Sequence, residues 1–518
     1  MTEWLGEWAS LFPLFLVGGT GLAVLLLDSM LSENSQLALV TGVALIGTAF
    51  VSIAISNDSV ATLPETISHY FHTDRASLLG DAAICMGAGL AALFAGGYLR
   101  EYRFERGEFY VLLIWATLGG MALAHSTHFL SFFIALETMS LGIYTLVAFR
   151  RHSPKAVEGA LKYFLLGSFA TAIFLFGSAL IYAATGKLDF SGVAQGLDSA
   201  RGEHLRLALI GIVLVLVGLA FKLSAVPFHM WAPDAYEGAP TPTTSYMAVV
   251  VKAAVGIGML RLLMEALHIE TLVAGAGSWP ELLFWLSALT LVGGNLGAVV
   301  QRNVKRMLAY SSIANAGFLL MGIGAASRLE APLRGDAIAT VFYYILAYTA
   351  SSSLALGSLI AAGSQGREAV SLTDLAGLGR RHPWIGIPFS LGTLSLMGLP
   401  PLAGFFSKYW VLLAAVRAGN DYLALGIVAV LMSTVGAYYY LRVLVYLFMR
   451  TGEESAPLAV PMRSGYVFSA LLIASFFVLH MGIAPSPYVR LSHEASKAWE
   501  PGPSKDESNN QQIAQASP

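Results

Sequence analysis

The fold is decided by the stretch FKLSAVPFHMWAPDAYEGAPTPTT, which runs from Phe221 to Thr244. It follows a run of almost purely apolar residues, so the ammonium group of Lys222 reaches membrane depth without a charged neighbour in that run. Pro227 then removes a backbone donor and breaks the helix. A charge beside a break is costly in a bilayer and is kept where it faces protein or water. The stretch predicts a protonatable site at a broken membrane helix; the alternative is a lysine that snorkels from a helix end.

The composition around this stretch is that of a polytopic membrane protein. Hydrophobic residues make up 56% of the 518 residues and charged residues 12%, whereas soluble domains carry about twice that charged fraction. There is no basic patch with interleaved aromatics, and so no sign of a nucleic-acid partner. Cys85 is the single cysteine, too few for an iron–sulfur cluster or a thiolate zinc site. We therefore expect no metal and no cofactor in this chain, and lipid around it.

Fourteen apolar segments are close to the length of about 20 residues that crosses a bilayer. We expect an all-α polytopic fold in which each segment is a transmembrane helix. Connections on one side hold about twice as many Lys and Arg as those on the other, which predicts that both termini lie outside the cytoplasm. A polar tail from about Pro485 is expected to be loosely ordered. The segments lie near residues 10–28, 37–56, 78–98, 108–125, 128–149, 160–184, 206–228, 243–265, 279–300, 307–325, 336–362, 384–416, 422–448 and 464–484.

An internal repeat relates the two broken segments. Pro227 breaks the seventh and Pro400–Pro401 break the twelfth, about 173 residues later, and a lysine lies near each break (Lys222 and Lys408). The period covers five helices, and because five is odd the second copy enters the membrane from the opposite side. Such inverted repeats with interrupted helices are typical of transporters; a chance match of two proline breaks is the alternative. We expect three N-terminal helices (1–105), two inverted five-helix repeats (106–270 and 271–450), a last helix (451–484) and the polar tail (485–518).

Four ionisable side chains lie within or beside the predicted segments. Glu137 and Lys252 are each about nine residues into their helices, a depth at which a lone charge is protonated or paired. Lys222 and Lys408 lie beside the breaks. Protonated lysines repel cations, so this set suits no metal, and it contains no nucleophile with a base. The set predicts proton carriage, in which a contact between Glu137 and Lys222 closes and opens; a structural salt bridge at Glu137 is the alternative.

Three motifs resemble a known family: the stretch 221–244, YSSIANAGFLLMG at 310–322 and SLMGLPPLAGFFSKYWVL at 395–412. They are similar to the antiporter-like membrane subunits of respiratory complex I (NADH:quinone oxidoreductase). The resemblance spans all fourteen segments and implies inverted five-helix repeats with broken seventh and twelfth helices. A lysine at position 408 and a short polar tail are typical of the N-type branch of this family.

The resemblance implies a role for each of the four charges. Glu137 would pair with Lys222, Lys252 would be the central relay, and Lys408 would be the residue on the exit side. The flavin (FMN), iron–sulfur clusters, NADH and quinone would belong to partner subunits. Those partners would be the neighbouring antiporter-like subunits and the small membrane subunits.

The resemblance also suggests residues that bridge the relay. His229 and Lys162 would connect its members, although a solvated pair of Lys162 with Glu158 is an equal reading. Tyr310 would hold water in the tenth helix or simply pack there. Relatives often have a histidine where this chain has Asn315, so bound water would have to serve at that point.

Three classes of function remain open. The leading hypothesis is a proton-translocating subunit of complex I in a bacterial inner membrane, with both termini periplasmic. The alternative is a subunit of a multi-subunit cation/proton antiporter, which shares the fold. A third class is a scaffold that retains these charges without pumping.

Overall fold

The computed structural model describes residues 6–30, 36–57, 60–273, 278–451 and 459–499, and every named element in these ranges is helical. Seven helices precede or contain the first break: α1 (Phe12–Met30), α2 (Leu37–Asn57), α3 (Arg75–Glu101), α4 (Gly107–His125), α5 (Phe129–Val147), α6 (Pro154–Thr185) and α7, whose parts are α7a (Gly202–Lys222) and α7b (Ala232–Gly238).

The remaining helices follow in chain order. They are α8 (Thr241–Glu265), α9 (Trp279–Val299), α10 (Val304–Ser327), α11 (Leu333–Ala361), α12a (Pro383–Met397), α12b (Ala403–Arg417), α13 (Asn420–Phe448), α14 (Gly465–Ile483) and α15 (Ser486–Ser496). Short helices also occur in the connections, at Glu65–Ser68, Phe190–Ser199, Glu270–Val273 and Leu378–Arg381.

Within the described ranges, thirteen helices are long and apolar enough to cross a membrane. The fourteenth predicted segment is the pair α12a and α12b, whose halves have 15 residues each and are too short to qualify singly. This architecture confirms the predicted all-α polytopic fold with broken seventh and twelfth helices. The predicted five-helix repeats would comprise α4–α8 and α9–α13.

The two lysines do not occupy matching positions relative to the two breaks, contrary to the expectation from the repeat. Lys222 is the last residue of α7a, just before the first break. Lys408 lies on α12b, after the second break. The residue 173 positions after Lys222 is Ser395, whose hydroxyl accepts a hydrogen bond from the Gly404 N–H at 3.0 Å. The proline breaks therefore repeat, but the lysines lie on opposite sides of them.

Four helices form the buried centre of the molecule. α3, α8, α10 and α11 are almost entirely buried, and α8 packs against α3, α4 and α11. The other membrane helices bury only part of their surface and expose large apolar side chains, such as Phe169 of α6 and Trp285 of α9. An apolar outer surface suits lipid or neighbouring membrane subunits. Side chains that point into the centre are shielded from both.

The expectation of a loosely ordered tail is wrong for residues 486–499. α15 is followed by a 3₁₀ turn at Lys497–Trp499, while residues 500–518 lie outside the described residues. The segment looks polar because its outer face is polar, but its inner face packs on α3 and α11. The segment is also tied to α14, where Tyr488 OH hydrogen-bonds His480 Nδ1 at 2.9 Å.

This C-terminal segment fastens the ends of two central helices. Glu494 of α15 forms an ion pair with Arg75 at the start of α3. Trp499 Nε1 donates to Glu265 Oε1 at the end of α8 at 3.1 Å, and the guanidinium of Arg261 lies 5.4 Å from a Trp499 ring centroid. The fully buried Arg261 also bonds both oxygens of Asp74 at 2.8 Å, so the segment closes over a buried charged cluster.

Gly404→Ala should destabilise the protein because the second break needs a close approach of the backbone. A Cβ atom at Gly404 would lie 1.8 Å from the Ser395 carbonyl oxygen, a backbone atom that cannot swing away. Overpacking of this kind costs about 1–3 kcal/mol, which thermal unfolding of the purified protein in detergent would detect. Gly47→Ala is the matched control, since nothing lies within 4 Å of its added methyl group. Equal melting temperatures for the two variants would contradict this account of the break.

Candidate functional site

Lys222 is held by one face of α5. Its Nζ donates to Ser140 Oγ at 2.7 Å and to Tyr144 OH at 3.2 Å, and lies 3.8 Å from Glu137 Oε1. Residues three and seven positions apart on a helix share a face, which places these three α5 groups in a row. The Lys222 side chain is only 1% exposed. The ammonium is therefore hydrogen-bonded to neutral hydroxyls, with the carboxylate as a nearby charge.

Glu137 has a partner of its own on α6. Thr171 Oγ1 donates to Glu137 Oε1 at 2.7 Å, the same oxygen that faces Lys222. The Glu137 side chain is 23% exposed on the surface of the chain. The carboxylate thus stands between a buried lysine and the outer surface of α5 and α6.

Lys252 lies at an irregular point of α8. It is the first residue after a π-helical segment, Met247–Val251, and such segments interrupt the regular hydrogen-bond ladder, often at functional sites. Its Nζ donates to the backbone carbonyl of Ser312 on α10 and lies 5.6 Å from the Tyr348 ring centroid of α11. Lys252 is thus held by a backbone carbonyl and an aromatic face, whereas Lys222 lies near the carboxylate of Glu137.

Ser312 is the junction of the site. Besides the contact of its carbonyl with Lys252, its hydroxyl is 2.8 Å from Tyr348 OH. Tyr236 of α7b lies beside the same serine side chain. One residue of α10 thus meets α7b, which follows Lys222, α8, which carries Lys252, and α11, which carries Tyr348.

The connection from Lys222 to this junction runs through aromatic rings. Trp231 Nε1 donates to the carbonyl of Phe221, the neighbour of Lys222, at 3.2 Å. The Trp231 ring lies 6.4 Å from that of Tyr236 and stacks on Tyr163 with centroids 3.9 Å apart. The break after α7a is therefore packed with aromatic groups that lead from Lys222 towards Ser312.

A second set of hydroxyls continues along α10 towards α12. Asn315 Oδ1 accepts from Tyr344 OH at 2.8 Å, and Ser311 Oγ lies 2.5 Å from Tyr440 OH. Phe318, one turn further along α10, stacks on Tyr344 with centroids 6.2 Å apart. The polar row along α10 ends at this phenylalanine.

Lys408 lies beyond the phenylalanine. Its Nζ is 5.0 Å from the Phe318 ring centroid and donates to the Met397 carbonyl of α12a at 3.2 Å. The last carbonyls of a helix lack intrahelical partners, so the break supplies the acceptor for this lysine. The row thus runs from Glu137 to Lys408 with aromatic intervals at Trp231 and at Phe318.

A surface network of ion pairs lies near the second part of α7. Asp234 and Glu237 of α7b both bind Arg306 of α10, at 2.6 and 3.1 Å. Lys162 pairs with Asp234 at 2.8 Å and with Glu158 at 2.6 Å, and its side chain is 43% exposed. The solvated pair with Glu158 is therefore present. A bridging role for Lys162 stays a prediction.

The same network perturbs its carboxyl groups. Burial alone would raise the pKa of Asp234, but hydrogen bonds from Lys162 and Arg306 hold it below its usual value. Burial would also raise the pKa of Glu237. Hydrogen bonds from Lys155 and Arg306 outweigh this effect and hold that pKa below its usual value. Both groups are charged at neutral pH and link α6, α7b and α10.

Comparison with known proteins places this geometry in a family. The family described as NADH:quinone oxidoreductase/Mrp antiporter, TM, matches residues 126–435, which include both breaks and all four charges of the row. NADH-quinone oxidoreductase subunit N 1 of Sorangium cellulosum (strain So ce56) is 49% identical over 464 residues, covering 89% of this chain and 90% of that protein. The chain belongs to the subunit N family of NADH-quinone oxidoreductases.

Other relatives agree with this assignment to the subunit N family. The subunit N of Myxococcus xanthus (strain DK1622) is 38% identical over 507 residues, with 92% of this chain and 95% of that one covered. A chain of respiratory complex I from Thermus thermophilus, solved with bound aureothin, is 33% identical with a TM-score of 0.76, covering 93% of this chain and 99% of that one. A chain of the Mrp complex from Dietzia sp. DQ12-45-1b has a TM-score of 0.80 at 22% identity, which shows a shared fold alone.

The sequence anticipated the charges of this subunit N family member better than their partners. Glu137 and Lys222 are brought together, and Lys252 and Lys408 lie further along the row. The rings of His229 and Tyr310 face each other at 6.4 Å, yet the contacts from Lys222 to Ser312 pass through other rings. The bridging roles of these two residues stay predictions.

Sequence reasoning missed most of the neutral groups in the row. Ser140 and Tyr144 carried a readable signal, because they follow Glu137 at helical spacing. The partners of Lys252 carried none, since Ser312 and Tyr348 are far away in sequence. Asn315 Oδ1 accepts a hydrogen bond from the hydroxyl of Tyr344, and the water expected beside Asn315 stays a prediction.

Arg306→Gln should make the protein less stable at neutral pH but not at low pH. A carboxyl group whose pKa is lowered by folding stabilises the fold above its unfolded pKa of about 4, and this contribution is lost as the pH falls through the folded value. For partly exposed pairs the effect is about 1 kcal/mol. Thermal unfolding in detergent at pH 7 and pH 3 measures it, with the exposed Arg302→Gln as control. An undiminished deficit of the Arg306 variant at pH 3 would show that its charge partners are not the cause.

Proposed function

We propose that this chain moves protons along the row from Glu137 through Lys222 and Lys252 to Lys408. The movement is driven by redox chemistry in partner subunits. The observation that carries the proposal is that each lysine is held by neutral groups of the protein that lie on one row, with Lys222 and Lys252 buried. Hydroxyls both donate and accept hydrogen bonds, so they pass protons between lysines that only donate.

The electrostatic attraction between Glu137 and Lys222 changes with the distance between the two groups. Two unit charges about 4 Å apart interact by about 4 kcal/mol at an effective dielectric constant of 20, and by less where the carboxylate meets water. Moving one charge against a membrane potential of about 150 mV requires roughly 3.5 kcal/mol. Loosening the contact therefore changes the energy of the ammonium by the amount that a pumped proton needs. Because Glu137 reaches the surface of the chain, a neighbouring subunit is well placed to loosen it.

The interval at Phe318 is the gate of the proposed path. A phenyl ring neither donates nor accepts a proton, so transfer to Lys408 needs water beside the ring. An ammonium near an aromatic face is stabilised by about 0.5–2 kcal/mol, a small barrier to leaving. Rotation of this ring would open or close the last step.

The family supplies the setting of the proposal. The named relatives are subunits N of NADH-quinone oxidoreductases, and we infer that this chain lies in the membrane arm of such a complex. Its partner subunits would hold FMN, iron–sulfur clusters, NADH and quinone, and lipid would cover the free apolar faces. We further infer a bacterial inner membrane with periplasmic termini, and repeat units at 106–270 and 271–450 flanked by 1–105, 451–484 and 485–518.

A cation/proton antiporter subunit is the second candidate, favoured by the fold shared with the Mrp complex. Purification separates the two readings. Flavin and iron–sulfur absorbance that copurify with the chain support complex I. Sodium-dependent exchange without these chromophores supports the antiporter.

Lys222→Ala and Lys252→Ala should each lower proton pumping several-fold, because each removes a carrier from the row. The assembled complex is reconstituted into vesicles, and protons translocated per NADH oxidised are measured. Lys187→Ala, which removes an exposed lysine of the same chain, is the control and should leave the ratio unchanged. A normal ratio of protons translocated to NADH oxidised in both the Lys222 and the Lys252 variant would contradict the proposal.

A further inference from the structure

A buried ion pair lies outside the row, at the membrane face that carries Arg100, Arg103, Arg106 and Arg150, here called the arginine-rich face. Glu368, in the loop after α11, has its Oε2 3.5 Å from Lys305 Nζ at the start of α10. The Lys305 side chain is 1% exposed and that of Glu368 is 19% exposed. The carboxylate therefore reaches water, whereas the ammonium group behind it does not.

The same carboxylate is tied to the helix that carries Lys252. Thr241, the first residue of α8, donates its hydroxyl to Glu368 Oε2 at 3.2 Å. Tyr98 of α3 donates to Oε1, and Arg150 lies 3.6 Å from the same oxygen. Oε2 thus faces into the protein, towards α8 and α10, while Oε1 is held by groups at the face.

A cavity gives this carboxylate access to solvent. It has a volume of about 190 Å³, is open at the surface, and is lined by Ser364, Gln365, Arg367, Glu368 and Asp374 among others. A water molecule occupies about 30 Å³ in the liquid, so several fit. Glu368 is the lining carboxylate that also contacts Lys305 and Thr241 on its inner side.

Unpaired hydroxyls lie between Glu368 and Lys252. In the part of the chain that the structure describes, the buried side chains of Ser245, Thr349 and Ser353 have no hydrogen-bond partner. Ser245 is one turn beyond Thr241 on α8, and Thr349 follows the tyrosine that contacts Lys252. Buried polar groups are almost always hydrogen-bonded, to protein or to water. Three unpaired hydroxyls in one region therefore indicate positions where water binds.

The helices that carry these hydroxyls, α8 and α11, pack against each other. A Cβ atom at Gly87 of α3 would lie 2.5 Å from Val249 Cγ1 of α8 and 3.5 Å from Thr349 Cγ2 of α11. Thr349 is thus next to the π-helical segment that leads into Lys252. Thr349 and Ser353 are one turn apart on α11, so they continue the line back towards the arginine-rich face. From Thr241 to Lys252, eleven residues of helix rise about 16 Å.

We propose that Glu368 takes up protons from water at the arginine-rich face and passes them to Lys252 along water bound to Ser245, Thr349 and Ser353. The inference rests on the proposed function and adds to the row an entry from water at Lys252, in addition to the end of the row at Glu137. Glu368 gains a proton from hydronium in the cavity, releases it inward and becomes a carboxylate again. The neutral amine of Lys252 becomes an ammonium, and no electrons move. Lys305 favours the charged carboxylate between transfers.

Two variants test this path in the assembled complex reconstituted into vesicles. Glu368→Gln cannot carry the proton, and loss of a proton-transfer group should slow pumping on the order of tenfold or more; Glu368→Asp should restore part of it. Thr349→Val keeps the shape of the side chain and breaks no hydrogen bond within the described chain. A purely structural role therefore predicts no loss for Thr349→Val, whereas the path predicts slower pumping.

Matched controls and a reference variant make each outcome decisive. Asp374→Asn alters another carboxylate of the same loop and cavity, and Thr48→Val removes a buried hydroxyl bonded within α2. Both should pump at the wild-type rate.

If Lys222→Ala lowers pumping while Glu368→Gln and Thr349→Val do not, the uptake path is overturned and the proposed function stands. If the Lys222 variant also pumps normally, the proposed function itself fails. If the Glu368 variant does not assemble, Thr349→Val decides the test alone. If Asp374→Asn lowers pumping as much as Glu368→Gln does, the loss comes from altered loop structure and the uptake role of Glu368 is overturned.

Discussion

The burial of ammonium groups is the constraint on which the rest of this structure depends. A buried charge without partners costs several kcal/mol, and regular membrane helices have no free backbone groups to offer. Each lysine of the row accordingly lies at an irregular point of a helix or reaches one with its ammonium group. Lys222 ends α7a, Lys252 follows a π-helical segment, and Lys408 reaches a carbonyl at the end of α12a. The interruptions of the helices and the positions of the charges thus have one common cause.

The packing of the molecule follows from the same constraint. Helices α3, α8, α10 and α11 are buried almost completely, so the hydroxyls that they carry face protein on all sides. The partly exposed helices around them present apolar residues outward. Glu137 and Lys408 are the members of the row whose side chains are partly exposed. This arrangement separates a polar interior from lipid and leaves a charged group near each end of the row within reach of the surface.

The sequence predicted the backbone well, because hydropathy and proline report directly on membrane helices. Pro227 and Pro400–Pro401 located both breaks, and the apolar runs located fourteen segments. The amphipathic α15 was missed, since its composition resembles a disordered tail until its packing partners are known. The equivalence of Lys222 and Lys408 was also too simple, because spacing to a proline does not show on which side of a break a side chain functions.

The site was predictable only where it is local in sequence. Glu137, Ser140 and Tyr144 lie on one helix, so spacing alone aligns them. Ser312 joins three helices, and no pattern within α10 distinguishes it from the adjacent Ser311. Neutral hydroxyls are common in helix interfaces, and their task depends on which side chain of another helix they face. Charges in an apolar run stand out in a sequence, whereas their uncharged partners appear only in three dimensions.

The C-terminal segment has a consequence for how this protein is made. Synthesis proceeds from the N-terminus, so α3 and α8 enter the membrane long before Glu494 and Trp499 leave the ribosome. Until then, Arg75 lacks Glu494 and Arg261 lacks the aromatic face of Trp499. The central helices therefore wait, incompletely tied, until the helices up to α14 have also been made. Their closure by α15 follows the insertion of those membrane helices, which makes this contact a natural checkpoint for incorporation into a larger assembly.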